Sequence, residues 1–413
     1  MNYFIKNIKV NHLFHLRDFC IPIDNEETPH LLITGKNGSG KTVLLNAIAE
    51  FLETMKNYSN LIHTRNIKSE EDDSDVLHNP TFVAEEYKSY IRYENLSKSL
   101  TVITNQVSVD FTDMRVLLDE YNHGDFILAF YQADRKVRMI EPTNPTKPSY
   151  ITQTPIKTTV TDQFLYFLSD LKIQEALAKN EGENDDAENI RKWFDDFEQL
   201  LQQIYQDKNL KLKFNYKDYS FTIETEGKSF KFTQMSDGFA AVLDIVADLI
   251  LKMQSQNSLT RAYQMRGIVL IDEIETHLHL ELQKVIMPLL TKIFPNIQFI
   301  VSTHSPFVLN SMNNAIAFDL EHQEVIDELT EYSYSSLAEG YFGVSSESSY
   351  MQMQLDKLEE LLKKEEYSDA EKQTVKSLVE DFKNVPASFS PDIVGQYQQL
   401  VNSYTDRLKE ILA

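Results

Sequence analysis

The chain has 413 residues, a formal net charge of -23 and a single cysteine, Cys20. That length can bury a large core in one domain with insertions or in two domains. The lone cysteine excludes an intrachain disulfide and a multi-cysteine metal site. The acidic balance argues against a surface coated with nucleic acid, which needs clustered Lys and Arg, although a local basic groove formed on dimerisation keeps a DNA or RNA contact open.

No apolar run reaches the length of a membrane span, so neither a span nor a membrane partner is expected. Met1–Asn7 lacks the basic-then-apolar layout of a signal peptide. A cytoplasmic location is the expectation. Cys20 lies in an apolar run and reads as a small core residue.

In chain order, Phe4–Val10 and Phe14–Ile23 are β-prone, Asp24–Pro29 reads as a turn and Leu31–Thr34 as a buried strand. A helix is predicted from Lys41 to about Lys56, then a loose polar connection over residues 60–80. Three β-prone runs, Phe82–Tyr93, Leu100–Phe111 and Asp125–Tyr131, suggest a mostly antiparallel sheet. Pro142, Pro145, Pro148 and Pro155 mark an irregular crossing. From Thr161 to about Asp207 the pattern is helical, interrupted by the acidic loop 181–186. Trp193, Phe194, Phe197, Leu200, Leu201 and Ile204 form an apolar face read as core or inter-helix packing. Leu210–Tyr216 and Tyr219–Thr225 resemble a hairpin, and a helix is predicted from Gly238 to about Met253. Strand Gly267–Ile271, helix Leu280–Phe294 and strand Ile297–Ser302 follow in the alternation of a parallel sheet. The tail beyond Leu337 is polar and helical, with Leu355, Leu358, Leu361 and Leu362 on one side.

Three motifs carry chemistry. Gly35-Lys36-Asn37-Gly38-Ser39-Gly40-Lys41-Thr42 lies between a strand and a helix, the context of a phosphate-binding P-loop. Its glycines turn backbone N–H groups inward around phosphates, and the helix N-terminus favours the same anion. Lys41 would reach the β- and γ-phosphates of a nucleotide, and Thr42 would hold Mg²⁺. In Ile268-Val269-Leu270-Ile271-Asp272-Glu273 a buried strand delivers two acids to its C-terminal edge. Asp272 is the expected Mg²⁺ ligand, and Glu273 the group that orients the attacking water. One strand later, Ser302-Thr303-His304 places a histidine that can hydrogen-bond the γ-phosphate. His277 and His279 read as packing or bridging residues in the turn after the acids.

These motifs together resemble ATP-binding-cassette-type ATPases of the SMC and RecF kind. More narrowly, the chain is similar to the standalone ATPases of bacterial anti-phage systems, including the Septu-like and OLD-like ones, over roughly residues 1–320. The resemblance implies an α/β fold: a P-loop NTPase of SMC-head type, with a mixed sheet flanked by helices, a helical insertion and a helical C-terminal tail. It matches the family signature to Met235-Ser236-Asp237-Gly238-Phe239. There Ser236 and Gly238 would contact the γ-phosphate held by a second copy, while Asp237 and Phe239 depart from the usual Leu-Ser-Gly-Gly-Gln. Glu275-Thr276-His277-Leu278 falls at the D-loop position and is expected at the dimer seam. Gln132, ending a β-prone strand, is the candidate glutamine-loop contact to nucleotide, Mg²⁺ or water, and Arg135 is expected near a phosphate or the seam.

The domain organisation expected is an N-terminal lobe with the P-loop (1–140), a helical and hairpin insertion (141–230), a C-terminal lobe with signature, acidic strand and switch histidine (231–325), and a helical region suited to partner docking (326–413). No long heptad arm separates the halves, which excludes an SMC-type coiled coil. No second set of acids on parallel strands follows His304, so no intrinsic nuclease domain is read, and Glu359, Glu360, Glu365 and Glu366 read as a charged helix face. The expected function is an ATP-hydrolysing module whose nucleotide-driven homodimerisation, or higher homo-oligomerisation, controls a separate effector such as a nuclease. The alternative is a DNA-repair or recombination ATPase that clamps DNA directly.

Overall fold

A computed structural model of the chain describes residues 5–23, 30–71, 102–135, 139–144, 154–254, 263–326, 349–364, 366–385 and 391–412. In the first helix the side chains described end at Asn57. The chain divides into two compact units, 1–332 and 333–413. The segment 141–230 thus belongs to the same unit as the lobes on either side of it.

The centre of the first unit is a sheet whose strands are, in chain order, β3 (His30–Thr34), β5 (Phe126–Tyr131), β9 (Arg266–Ile271), β10 (Ile297–Ser302), β11 (Ala315–Asp319) and β12 (Glu324–Ile326). Their spatial order is β12-β11-β3-β10-β9-β5. All neighbours pair in parallel except β12, which runs antiparallel to β11. Every residue of β3, β5 and β10 is buried, the signature of parallel strands covered on both faces. Against this sheet pack the helices α1 (Lys41–Glu71), α2 (Met114–His123) and α5 (Asp237–Met253); α3 (Phe164–Glu181), α4 (Asn184–Tyr205) and α6 (Leu280–Ile293) complete the chain order, and α6 packs on α4 and α5.

Two smaller antiparallel sheets complete the unit. One has the order β2 (Leu16–Pro22), β1 (Ile5–Leu13), β4 (Val107–Phe111); the other is β6 (Lys211–Asn215), β7 (Ser220–Thr225), β8 (Lys228–Lys231). Helices α3 and α4 pack together through an aromatic cluster in which Trp193 stacks on Phe197 at 5.4 Å and meets Phe167 edge-on at 5.5 Å. Trp193, Phe194, Phe197, Leu200, Leu201 and Ile204 are all buried, while the acidic residues 181–186 are exposed. The second unit contains α8 (Ser349–Lys363), α9 (Asp369–Lys383), α10 (Pro391–Ser403) and α11 (Thr405–Leu412), numbered after the short α7 (Pro306–Leu309). Its own core includes Leu355, Leu358, Leu361, Leu362, Val375, Phe382 and Tyr397.

Several expectations are corrected. The antiparallel sheet is β2-β1-β4, and Asp125–Tyr131 contributes instead to the parallel sheet as β5. The reason is that Phe126–Tyr131 is apolar on both faces; at its outer edge Phe130 N donates to Ile156 O, just after Pro155, at 2.8 Å. Of Leu100–Phe111 only Val107–Phe111 is strand, and residues 102–104 are helical. The Asp24–Pro29 turn and the Phe82–Tyr93 run lie outside the described residues. The first helix runs to Glu71, well past Lys56, so part of the loose connection is helical. Cys20 is exposed, because the alternation of β2 turns Phe19 and Ile21 inward.

His30 shows what the buried sheet costs in acid. It is 4% exposed, and Phe299 N donates to its Nδ1 at 3.2 Å, which requires a neutral ring. Burial pushes its pKa down to about 4. A depressed folded-state value means that this contribution to stability is complete above the unfolded value near 6.5 and is lost as pH falls toward 4. The loss amounts to about 3 kcal/mol over that window. Urea unfolding at pH 7.5 and pH 4.5 should therefore show a smaller acid loss for His30→Asn, which can still accept from Phe299 N but does not titrate. Equal acid losses in both proteins would contradict this.

Candidate nucleotide site

The site is assembled where four neighbouring parallel strands, β3, β10, β9 and β5, end. At the end of β3, Gly35, Gly38 and Gly40 have φ values of +135°, +85° and +102°, left-handed conformations that side chains rarely adopt. They wrap the loop around Lys41, whose Nζ donates to Gly35 O at 2.8 Å, Lys36 O at 3.0 Å and Ser39 Oγ at 3.4 Å. The Lys41 ammonium is therefore already in the mouth of the loop. Burial lowers its pKa to about 8, against the opposing pull of Glu273, Glu275, Asp272 and Asp319. Asn37, Gly38 and Thr42 are exposed, and Ser39 and Gly40 half-buried. The turn after β11 braces the loop from one side through the Lys36–Glu321 ion pair at 3.0 Å. His15 braces it through the Ser39 carbonyl, donating from Nε2 at 3.0 Å.

At the end of β9, Asp272 is 1% exposed and Glu273 half-buried. Ser302, ending the adjacent β10, joins them. Its hydroxyl donates to Asp272 Oδ1 at 2.5 Å and accepts from Glu273 N at 2.8 Å. Glu273 itself has φ +46°. Glu275 turns inward, its carboxylate accepting from Thr303 Oγ1 at 2.7 Å and from His304 N at 2.5 Å. The Glu275 side chain is thus engaged inside its own chain, and burial raises its pKa. His304 is half-buried, with its pKa lowered by burial and by Lys41 against the pull of Glu273 and Asp272. Near neutral pH it is a neutral imidazole able to donate or accept.

Gln132 follows β5 with an exposed side chain, at a polar cavity lined also by Tyr131, Arg135, Thr161 and Asp244. Arg135, half-buried, turns its guanidinium to backbone carbonyls. Nη1 donates to Asp272 O at 2.8 Å and Gln132 O at 3.1 Å, and Nη2 to Glu273 O at 3.2 Å.

The signature segment opens α5. Ser236 and Asp237 are exposed, and the N-terminal position Ser236 makes no side-chain cap bond. Gly238 is buried, and a Cβ there would stand 2.9 Å from His277 O. Phe239 stacks on Tyr205 at 4.1 Å and meets His279 edge-on at 5.5 Å. The departure at Phe239 is thus a packing residue that fixes the helix start, and His279 packs as expected.

Sequence reasoning missed Ser302 and the bracing role of Glu275, although a polar residue ending an apolar strand beside the acids was there to be seen. Removing the Ser302 hydroxyl strands the Glu273 N–H and takes a donor from Asp272. Ser302→Ala should lower the unfolding free energy in urea by about 1–3 kcal/mol, and Ser302→Thr should retain most of it. An alanine variant as stable as the wild type would contradict the bridge.

Known proteins were compared with the chain. The "Septu protein PtuA" of Bacillus mycoides is 23% identical over 325 residues, 78% of this chain and 41% of that protein. The "Retron Vc95 probable ATPase" of Vibrio cholerae is 36% identical over 118 residues, 28% of this chain and 22% of that one. The chain therefore spans less than half the length of these relatives. A solved SMC head bound to the C-winged helix domain of ScpA matches 80% of this chain at 14% identity with a TM-score of 0.38, too loose a likeness to carry an argument. A family model matches residues 31–310, a stretch that runs from the P-loop strand through the acidic strand and past His304. The chain belongs to that family, described as "AAA domain, putative AbiEii toxin, Type IV TA system".

Proposed function

We propose that the chain binds ATP with Mg²⁺ at the P-loop and hydrolyses it, that two copies close around the nucleotide, and that this cycle controls a separate effector in bacterial anti-phage defence. The observation that carries the reading is the convergence of Lys41, Asp272, Glu273 and His304 on adjacent parallel strand ends, braced by Ser302 and Glu275. The family membership and the ATPase names of the retron relatives support the same chemistry.

In this reading the loop from Gly35 to Thr42 cradles the phosphates, with Asn37, Gly38, Ser39 and Gly40 offering backbone N–H groups. Lys41 exchanges carbonyl oxygens for phosphate oxygens and loses little, since its charge is already desolvated. Among the described residues no cluster of three or more His, Cys, Asp or Glu is arranged to hold a metal. Mg²⁺ needs no such cage, because it is commonly held by one or two protein groups together with substrate phosphates. The exposed Thr42 hydroxyl and the Asp272 carboxylate fit that demand, with Gln132 a further candidate; the ion would neutralise charge on the phosphates. Glu273 orients the attacking water and takes up its proton, and neutral His304 hydrogen-bonds the γ-phosphate.

Ser236, with an uncommitted cap position, and the Gly238 end of α5 offer donors to a phosphate held by a second copy. The helices from Ser349 onward and the α3–α4 hairpin are the proposed effector-docking elements. The Septu name of one relative is the basis for placing the chain in defence.

Phosphate release and nucleotide binding test the reading together. Lys41→Ala should abolish ATP binding. Glu273→Gln should bind ATP yet lose roughly 10²–10⁴ in turnover, the range of a general base, and should accumulate as a dimer when mass is measured with ATP and Mg²⁺. ATP binding that survives Lys41→Ala, or a Glu273→Gln protein that turns over normally or stays monomeric, would sink it.

A further inference from the structure

Arg135 is bonded to the backbone that carries the two acids. Its Nη groups are committed to the carbonyls of Gln132, Asp272 and Glu273, and its Nε is buried without a hydrogen-bond partner. Consecutive carbonyls along a strand point to opposite sides, so Asp272 O and Glu273 O can meet one guanidinium only where the chain leaves the strand. The turn is visible in Glu273, whose φ of +46° is a left-handed conformation unfavourable for a long side chain. Such a conformation persists where surrounding contacts over-determine it. Here those contacts are the Arg135 fork, the Ser302 hydroxyl on Glu273 N, and Ile274 N donating to Ser302 O at 3.2 Å.

The charge of Arg135 is offset by surrounding carboxylates. Burial disfavours it, and Asp244, Glu275, Asp272 and Glu273 favour it, Asp244 most strongly. Asp244, 2% exposed on α5, lines the same polar cavity. Asp244 Oδ1, like Arg135 Nε, has no hydrogen-bond partner. The cavity has a volume of about 370 Å³.

We propose that Arg135 is a positioning residue for hydrolysis: by gripping the carbonyls of Asp272 and Glu273 it holds the strained turn that aims the Glu273 carboxylate, without touching the nucleotide. The proposal rests on the ATPase reading above. Lysine is a poor substitute, because a single ammonium lacks the planar fork that serves three carbonyls at once.

The test compares steady-state ATP turnover, ATP binding and thermal unfolding in the wild type, Arg135→Ala and Arg135→Lys. In the alanine variant kcat should fall roughly 10- to 100-fold, as for a misplacement of about 1 Å, while KM and ATP affinity stay within about threefold. Guanidinium chloride at non-denaturing concentration should restore part of the lost kcat by entering the cavity, and an equal concentration of methylammonium should not. If the alanine variant does not fold, Arg135→Lys carries the test, with kcat reduced at least about fivefold and binding retained. Full kcat in Arg135→Lys, or a rise in KM with kcat unchanged, would overturn the positioning role while leaving the ATPase reading intact. A wild type that binds ATP and never turns it over would overturn both.

Discussion

The parallel pairing of β3, β10, β9 and β5 is the constraint on which everything else depends. It continues past the strand ends: Thr303 N donates to Ile33 O at 3.0 Å, Asp272 N to Tyr131 O at 2.8 Å and Ile274 N to Ser302 O at 3.2 Å. Each chemistry-bearing loop therefore leaves the sheet in register with its neighbour. A slip of one residue would turn every side chain to the opposite face, and Asp272 would no longer meet Ser302. Because these strands are buried on both faces, such a slip would also disrupt the core. The position of the site and the stability of the fold are thus the same property.

On that frame, one set of polar residues holds the strand-end acids and histidine in place. Ser302 links the acidic strand to the histidine strand, Glu275 fixes the backbone of His304, and Arg135 ties the end of β5 to the end of β9. The Asp319 carboxylate, fully buried, organises the turn that carries Glu321 to Lys36, accepting from Glu321 N at 2.8 Å. A typical bond of this kind contributes only about 1 kcal/mol net, but leaving a buried group unpaired costs about 1–3 kcal/mol. The braces are worth more as restraints on geometry than as sources of stability.

The P-loop, the acidic strand and the histidine strand were legible in the sequence because each couples an apolar run to residues with one physical use. Glycines at Gly35, Gly38 and Gly40 take backbone angles few other residues accept. Helix α2 was equally legible and was overlooked. Asp113 caps it through Arg115 N at 3.0 Å and Gly124 ends it at φ +78°, both readable as letters. Strands β8, β11 and β12 are short, four, five and three residues for the pairings they make, and such runs give little periodic signal. The grip of Arg135 was not legible at all. Its partners are backbone carbonyls, which every residue carries, so no residue type announces them. The exposure of Cys20 is hidden in a contiguous apolar run, because in a strand alternation decides burial.

The central claim is that the four strand ends form one half of a nucleotide site that a second copy completes. A structure with a non-hydrolysable ATP analogue and Mg²⁺ measures this most directly. The account predicts the phosphates within hydrogen-bond reach of Lys41 Nζ, released from Gly35 O and Lys36 O, with Ser236 of a second copy facing the terminal phosphate. An analogue bound away from Lys41, or a single copy with Ser236 left in solvent, would contradict it.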